Sequence, residues 1–221
     1  MCVDHAGLAL FPNVGAFRCV GRIAFPLYCF LLAQGFLHTR SLRAYARRLL
    51  LLALISEIPN DLLIFGRVSS SAEQNALFAL LFGLAALVAA HAYRKKSRVA
   101  FAAILSLCIG AMAARVSYGW LGVALCLCTY YADGRKLRLA LSFGAAQLVY
   151  ILSLLLSGVA LSWVLVSLCA FSALIPILLY NGKRGPHSPA LSFLFYAAFP
   201  LHLLALIAIR AMRIIPPYFI P

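Results

Sequence analysis

Residues 75–93 read NALFALLFGLAALVAAHAY, and from Asn75 to Ala90 no side chain is ionisable. Wound as an α-helix this stretch rises about 28 Å, close to the roughly 30 Å hydrocarbon thickness of a bilayer. Similar apolar runs occur at residues 20–37, 49–65, 99–114, 116–132, 139–157, 161–180 and 190–209. With 75–93 they predict eight full spans in an all-α, polytopic transmembrane helix bundle. Residues 1–17 are apolar too, but Pro12 and Asn13 interrupt them, so the piece before the break is a partial span.

Composition agrees with that reading. Of the 221 residues 65% are hydrophobic and only 11% charged, and the mean hydropathy is +0.99. A soluble domain is nearer half apolar and a quarter charged, so this class is excluded. The connections are too short for a soluble domain, and neither a repeat nor a low-complexity tract interrupts the chain. Residues 1–221 therefore read as a single integral-membrane domain. The seven cysteines form no CxxC pair and no metal-ligand spacing, which makes them small hydrophobes and predicts no metal.

The 19 Lys and Arg against 5 Asp and Glu give a net charge of +14. In a soluble chain that would point to nucleic acid; in a membrane protein it reports topology, and no nucleic-acid partner is expected. The basic residues fall in every second connection. Arg40, Arg43, Arg47 and Arg48 follow the first span, Arg94, Lys95, Lys96 and Arg98 the third, Arg135, Lys136 and Arg138 the fifth, and Lys183 and Arg184 the seventh. The alternate side holds Arg18, Arg67, Arg115, Arg210 and Arg213. The positive-inside rule puts the first set in the cytoplasm and the C-terminus outside. The first basic loop is equally suited to anionic lipid.

Ionisable groups inside spans are costly and need a partner, a wet cavity or a function. Asp4 and His5 lie in the partial span, Arg22 near the start of the first full one, Glu57 and Asp61 in the second, and His202 in the last. If helical, His5 lies about 9 Å beneath the outer loop, and Glu57 and His202 roughly 10 to 12 Å below the outer face. Arg22, Asp61 and Asn75 share that outer half, so a polar cavity open to the outside is expected. Each residue also has a plainer reading. Asp4 caps a helix start, Arg22 snorkels outward with Arg18, Glu57 and Asp61 neutralise Arg22 or Arg67, and His202 bonds a neighbouring helix. On the functional reading a carboxylate beside an imidazole fixes its tautomer and raises its basicity.

Several stretches carry a family resemblance. Met1-Cys2-Val3-Asp4-His5 looks like an MxxDH element. Gly21-Arg22-Ile23-Ala24-Phe25-Pro26-Leu27-Tyr28 continues through Gly35-Phe36-Leu37-His38-Thr39-Arg40 to Tyr45-Ala46-Arg47-Arg48 and Ser56-Glu57-Ile58-Pro59. Gln74-Asn75, Tyr118-Gly119 with Gly122, and Phe199-Pro200-Leu201-His202 complete the pattern. Together they resemble the TraX family, named for acetylating the N-terminus of conjugative pilin and similar to multi-pass membrane acyltransferases. The middle helices match in hydropathy only. The resemblance implies an acyltransferase that moves an acetyl or similar group from cytoplasmic acyl-CoA to an acceptor at the outer face, either a pilin-like peptide amine or a sugar hydroxyl. It implies His5 as general base or acyl carrier, oriented by Asp4, with Arg22 at the oxyanion. Arg43, Arg47 and Arg48 would bind the acetyl-CoA phosphates, and Glu57, Asn75 and His202 would position substrate. Family members carry further apolar residues before MxxDH, so here the first helix reads as truncated. Two other classes stay open: a proton-coupled transporter using the same acids and histidines as a relay, and a non-catalytic component of a conjugation or secretion apparatus.

Overall fold

The computed structural model describes residues 1–212 apart from Arg184, Pro186 and His187, with Pro189 and Ser192 described by backbone alone. The assignments of Arg184 and Arg213 and the placement of the C-terminus therefore lie outside the described residues. Within them the chain is helical, and the only strand-like pairing is an isolated bridge between Gln74 and Val116.

Two short helices open the chain, α1 (Cys2–Leu10) and α2 (Gly15–Arg22), folded against each other as a hairpin. Pro12 ends the first, because the residue before a proline is pushed out of the helical region, and Phe11 sits at φ −139°. Gly7 and Gly21 make the close approach possible. A β-carbon on Gly7 would lie 2.5 Å from that of Phe17, and one on Gly21 would collide with the Asp4 side chain. Next comes α3 (Ala24–His38), joined to α2 so closely that Gly15–His38 counts as one membrane-length apolar helix.

Ser41 caps α4 (Leu42–Phe65), its Oγ accepting from the Ala44 amide at 3.3 Å, and Gly66 ends it at φ +67°. Pro59 lies inside α4. Asn75 caps α5 (Ala76–Ala92) by accepting from the Leu77 amide at 2.9 Å. Then follow α6 (Ser97–Ala113), α7 (Trp120–Ala132) and α8 (Lys136–Leu156). The segment after α8 is helical in three pieces, α9 (Leu161–Leu168), a 3-10 turn at Cys169–Ala173 and α10 (Leu174–Leu179). The last described helix is α11 (Pro189–Met212).

Every apolar run marked in the sequence is thus helical, with one local correction: the run at 116–132 is helical only from Trp120, because Tyr118 and Gly119 adopt φ of +65° and +47° and turn the chain. Four helices are long and apolar enough to cross a membrane, namely Gly15–His38, Lys136–Leu156, Leu161–Leu179 and Phe193–Met212. Ala76–Ala92, Ser97–Ala113 and Trp120–Ala132 are apolar but shorter. The 24-residue α4 is long enough, but Glu57 and Asp61 divide its apolar run.

The core is built on α5 and α7, which pack on each other and on α3. Small residues set that closeness: a β-carbon on Gly83 would lie 2.6 Å from the Cys126 sulfur, and one on Gly122 3.1 Å from the Ala79 β-carbon. Phe25, Ala33, Ala79, Leu87, Val123 and Leu125 are fully buried there. The outward faces of the peripheral helices carry Ile55, Ile109, Leu148 and Leu165, all more than half exposed. An apolar face of that kind suits lipid, and the chain is a membrane protein.

Candidate functional site

Backbone pairing fixes one end of the bundle. The Gln74 amide donates to the Arg115 carbonyl at 2.9 Å and the Ser117 amide donates to the Gln74 carbonyl at 3.0 Å. These bonds tie the connection before α5 to the connection before α7. Asn75 and Tyr118 are therefore held side by side at the same end, where α1 packs against α11 and α11 against α4.

A cavity of about 350 Å³ opens here, lined by Asp4, His5, Arg18, Arg22, Glu73 and Tyr118 among others. Its chemistry centres on two histidines. His5 Nδ1 lies 2.8 Å from His202 Nε2, and the rings stack at a centroid distance of 5.1 Å. His202 Nδ1 lies 2.9 Å from the Ala198 carbonyl. A carbonyl only accepts, so His202 Nδ1 carries its hydrogen and, in the neutral ring, Nε2 is bare. Facing a bare nitrogen, His5 Nδ1 must donate. The relay thus leaves His5 Nε2 as the free lone pair of a residue that lines the cavity. Phe199 packs edge-on against both rings and holds them from the apolar side.

This corrects the expected role of Asp4. Its carboxylate pairs with Arg18 at 3.0 Å, and Arg18 also donates to the Asp4 carbonyl at 3.4 Å. His202, not Asp4, is the partner of His5. Asp4 instead ties α1 to α2, with Arg18 stacked over the Trp163 ring at 5.1 Å. Arg22 does not snorkel away: it donates to the Tyr118 hydroxyl at 2.9 Å and lines the cavity, and its buried Nε has no partner.

Among the described residues the acids of α4 form no ion pair either. Glu57 accepts from the Asn75 amide at 3.2 Å and from its side-chain amide, while Asp61 accepts from the Ser70 amide at 2.6 Å. Asn75 also donates to the Ala53 carbonyl at 2.9 Å and is 1% exposed. Glu57 and Asn75 therefore fasten α4 to the start of α5, and neither lines the cavity, although the adjoining Ala76 does. Their arrangement orients the wall rather than the contents.

Arg43, Arg47 and Arg48 begin α4 at the opposite end of the bundle and are exposed. Two hollows lie between or beside the ends. An apolar slot of about 210 Å³ is lined by Tyr45, Leu49 and Leu52 of α4 at one extreme and by Phe199 and Met1 at the other. A wide cleft of about 1030 Å³ holds Arg94, Arg138 and a His91 to Tyr130 hydrogen bond of 3.0 Å. Trp163 and Gln147 carry no charge and so no signal in the sequence, while Arg18 and Tyr118, visible there as a snorkelling cation and a motif residue, had no expected place in a site. Arg18 was detectable, lying four residues before Arg22 and so on the same helical face.

Among known proteins, the family model described as TraX protein matches residues 1–210. The chain is 28% identical over 222 residues to a probable fimbrial assembly protein, FimC of serogroup H1, from Dichelobacter nodosus. That alignment covers 92% of this chain and 88% of the relative. No solved structure matches. With residues of the first helix, the last helix and everything between falling inside one family model, the chain belongs to the TraX family.

Proposed function

We propose that this protein is a membrane acyltransferase of pilus or conjugation systems, taking an acetyl or similar group from acyl-CoA on the cytoplasmic side and placing it on an acceptor entering the cavity from the outer side. The observation that carries the reading is the relay from the Ala198 carbonyl through His202 to His5, which leaves one oriented basic nitrogen in a polar cavity. All eight apolar runs cross the membrane in this reading, with the basic connections inside and the C-terminus outside.

In the reaction, the acceptor amine or hydroxyl attacks the thioester carbonyl. His5 Nε2 takes the acceptor proton, the carbon–sulfur bond breaks, and the proton passes to the departing CoA thiolate. Arg22, with an unpartnered Nε and its other end steadied by Tyr118, faces the developing oxyanion. Arg43, Arg47 and Arg48 take the CoA phosphates. The apolar slot from Tyr45 to Phe199 then gives the thioester arm a route to the histidines.

The fimbrial assembly role in the relative's name favours a second reading, a non-catalytic part of such an apparatus. Purified protein in liposomes, given acetyl-CoA and a panel of peptide amines and sugars, separates the two. Acyl transfer predicts acceptor-dependent release of free CoA that disappears in His5→Ala. An assembly component releases none with any acceptor.

A further inference from the structure

The wide cleft of about 1030 Å³ takes no part in the acyl-transfer reading, and it shares no lining residue with the histidine cavity or the apolar slot. Its walls are the last turns of α3, α5 and α7, the first turns of α6 and α8, and the connections between them, at the basic boundary of the bundle.

Charge lies at the mouth. Arg94 and Asp133 sit in the turns after α5 and α7, and Arg138 in the first turn of α8, where its guanidinium donates to the Tyr131 carbonyl at 3.3 Å. Among the described residues the one ion pair joins Asp4 to Arg18, so these two cations and one carboxylate reach the cleft without pairing with one another. Tyr93 and Tyr131 are exposed beside them, and amphipathic rings of this kind settle at the level of lipid headgroups. The wall also holds polar groups. Tyr130 is tied to His91 at 3.0 Å and the Thr129 hydroxyl donates to the Leu125 carbonyl at 3.1 Å, while Gln34 and Ser97 add uncharged hydrogen-bonding groups. Further in, the lining turns apolar, with Ala100, Phe101 and Ile104 of α6. Ile104 lies seven residues past the start of α6, about 10 Å beneath the mouth. Phe101 is 69% exposed, so this depth faces the hydrocarbon as well as the cleft.

We propose that the cleft binds a phospholipid whose headgroup carries both a phosphate and a primary ammonium. Arg94 and Arg138 take the phosphate, the Asp133 carboxylate accepts from the ammonium, and the first methylenes of an acyl chain lie along Phe101 and Ile104. The carboxylate is what narrows the headgroup. Choline brings the positive charge without an N–H, and glycerol brings hydroxyls without the charge, so Asp133 disfavours both. Coenzyme A brings phosphates without an ammonium and would lay an amide-bearing arm against the apolar depth.

The site is independent of acyl transfer and is tested by binding alone. The full chain in detergent is titrated with dihexanoyl phosphatidylethanolamine, phosphatidylcholine and phosphatidylglycerol, and bound lipid is read by native mass spectrometry. The ethanolamine lipid is expected to bind about fivefold tighter than the other two. Glycerophosphoethanolamine, which lacks the chains, should bind more than about tenfold weaker than its lipid. Asp133 sits at φ +51°, a conformation asparagine also adopts, so Asp133→Asn keeps the turn. It should lower the ethanolamine lipid to the choline lipid's affinity and leave the latter unchanged. Arg138→Gln should weaken all three lipids alike. Equal binding of the three by the unaltered protein, tighter binding of the glycerol lipid, undiminished binding of the chainless headgroup, or competitive displacement of the lipid by coenzyme A overturns the site. A preference that survives Asp133→Asn overturns the headgroup assignment. The comparison among lipids needs no variant, so misfolding of either substitution does not rescue the proposal.

Discussion

His5 Nε2 has a free lone pair only while His202 holds the hydrogen on the other ring nitrogen, so the two imidazoles contribute unequally. His202→Ala should leave the base present but unfixed, lowering the turnover number about a hundredfold with the acceptor KM little changed, whereas His5→Ala should abolish turnover. Steady-state CoA release checks both. Asp4 and Arg18 answer a different question. Their side chains are 8% and 13% exposed, and removing one partner strands the other. Asp4→Asn is expected to cost about 3 kcal/mol in denaturant unfolding of the detergent-solubilised protein. A loss no larger than that of an exposed pair would place Asp4 outside the support of α1. At this scale the sequence was informative about residue type and poor about pairing. It singled out Asp4, His5, Arg22, Glu57 and His202 because charge is expensive in lipid, yet adjacency drew Asp4 to His5. In a helix neighbouring side chains diverge by about 100°, which lets Asp4 reach α2 while His5 faces α11. Gln147 went unnoticed because it bears no charge, although an uncharged amide in a span also needs partners.

Between elements, contact distance is decided by the smallest side chains. Gly83 faces Cys126 across the α5 and α7 seam with no room for a methyl group, while Gly144 on α8 has nothing nearer than 3.9 Å. Gly83→Ala should therefore lose roughly 1 to 3 kcal/mol by overpacking, and Gly144→Ala should be neutral or slightly stabilising through helix propensity. Thermal unfolding of the pair tests it: equal effects would mean that helix propensity, not the seam, governs both. Element existence was legible from hydropathy, since every apolar run is helical. Boundaries were less so. Tyr118 holds a left-handed φ of +65°, a conformation a tyrosine rarely adopts, and nothing in the composition of 116–132 announces it. The reward for that strain is visible in three dimensions: the ring stacks on Phe25 at 3.8 Å and its hydroxyl meets Arg22.

Across the whole molecule the polar groups divide between two ends. Ala76 lines the histidine cavity and His91 the wide cleft, and along α5 they are about 22 Å apart. The basic connections sit at the cleft end and the paired histidines near the other. If the basic end faces the cytoplasm, a cysteine placed at Lys95 in a cysteine-free background should resist a membrane-impermeant maleimide in intact cells, and one at Ser71 should react. The reverse pattern inverts the orientation. Charge counting could place these ends on opposite sides because it needs only loop order. It could not say which helices meet at either end, since that depends on shape.

Residues 5 and 202, 197 positions apart, share the hydrogen bond on which the basic nitrogen depends. During synthesis α1 enters the membrane long before α11, which follows every other described helix. His5 is then unpaired throughout insertion, and a chain arrested before His202 has no relay. Catalytic competence would arrive as a final event of assembly, so partly made chains would leave acyl-CoA untouched.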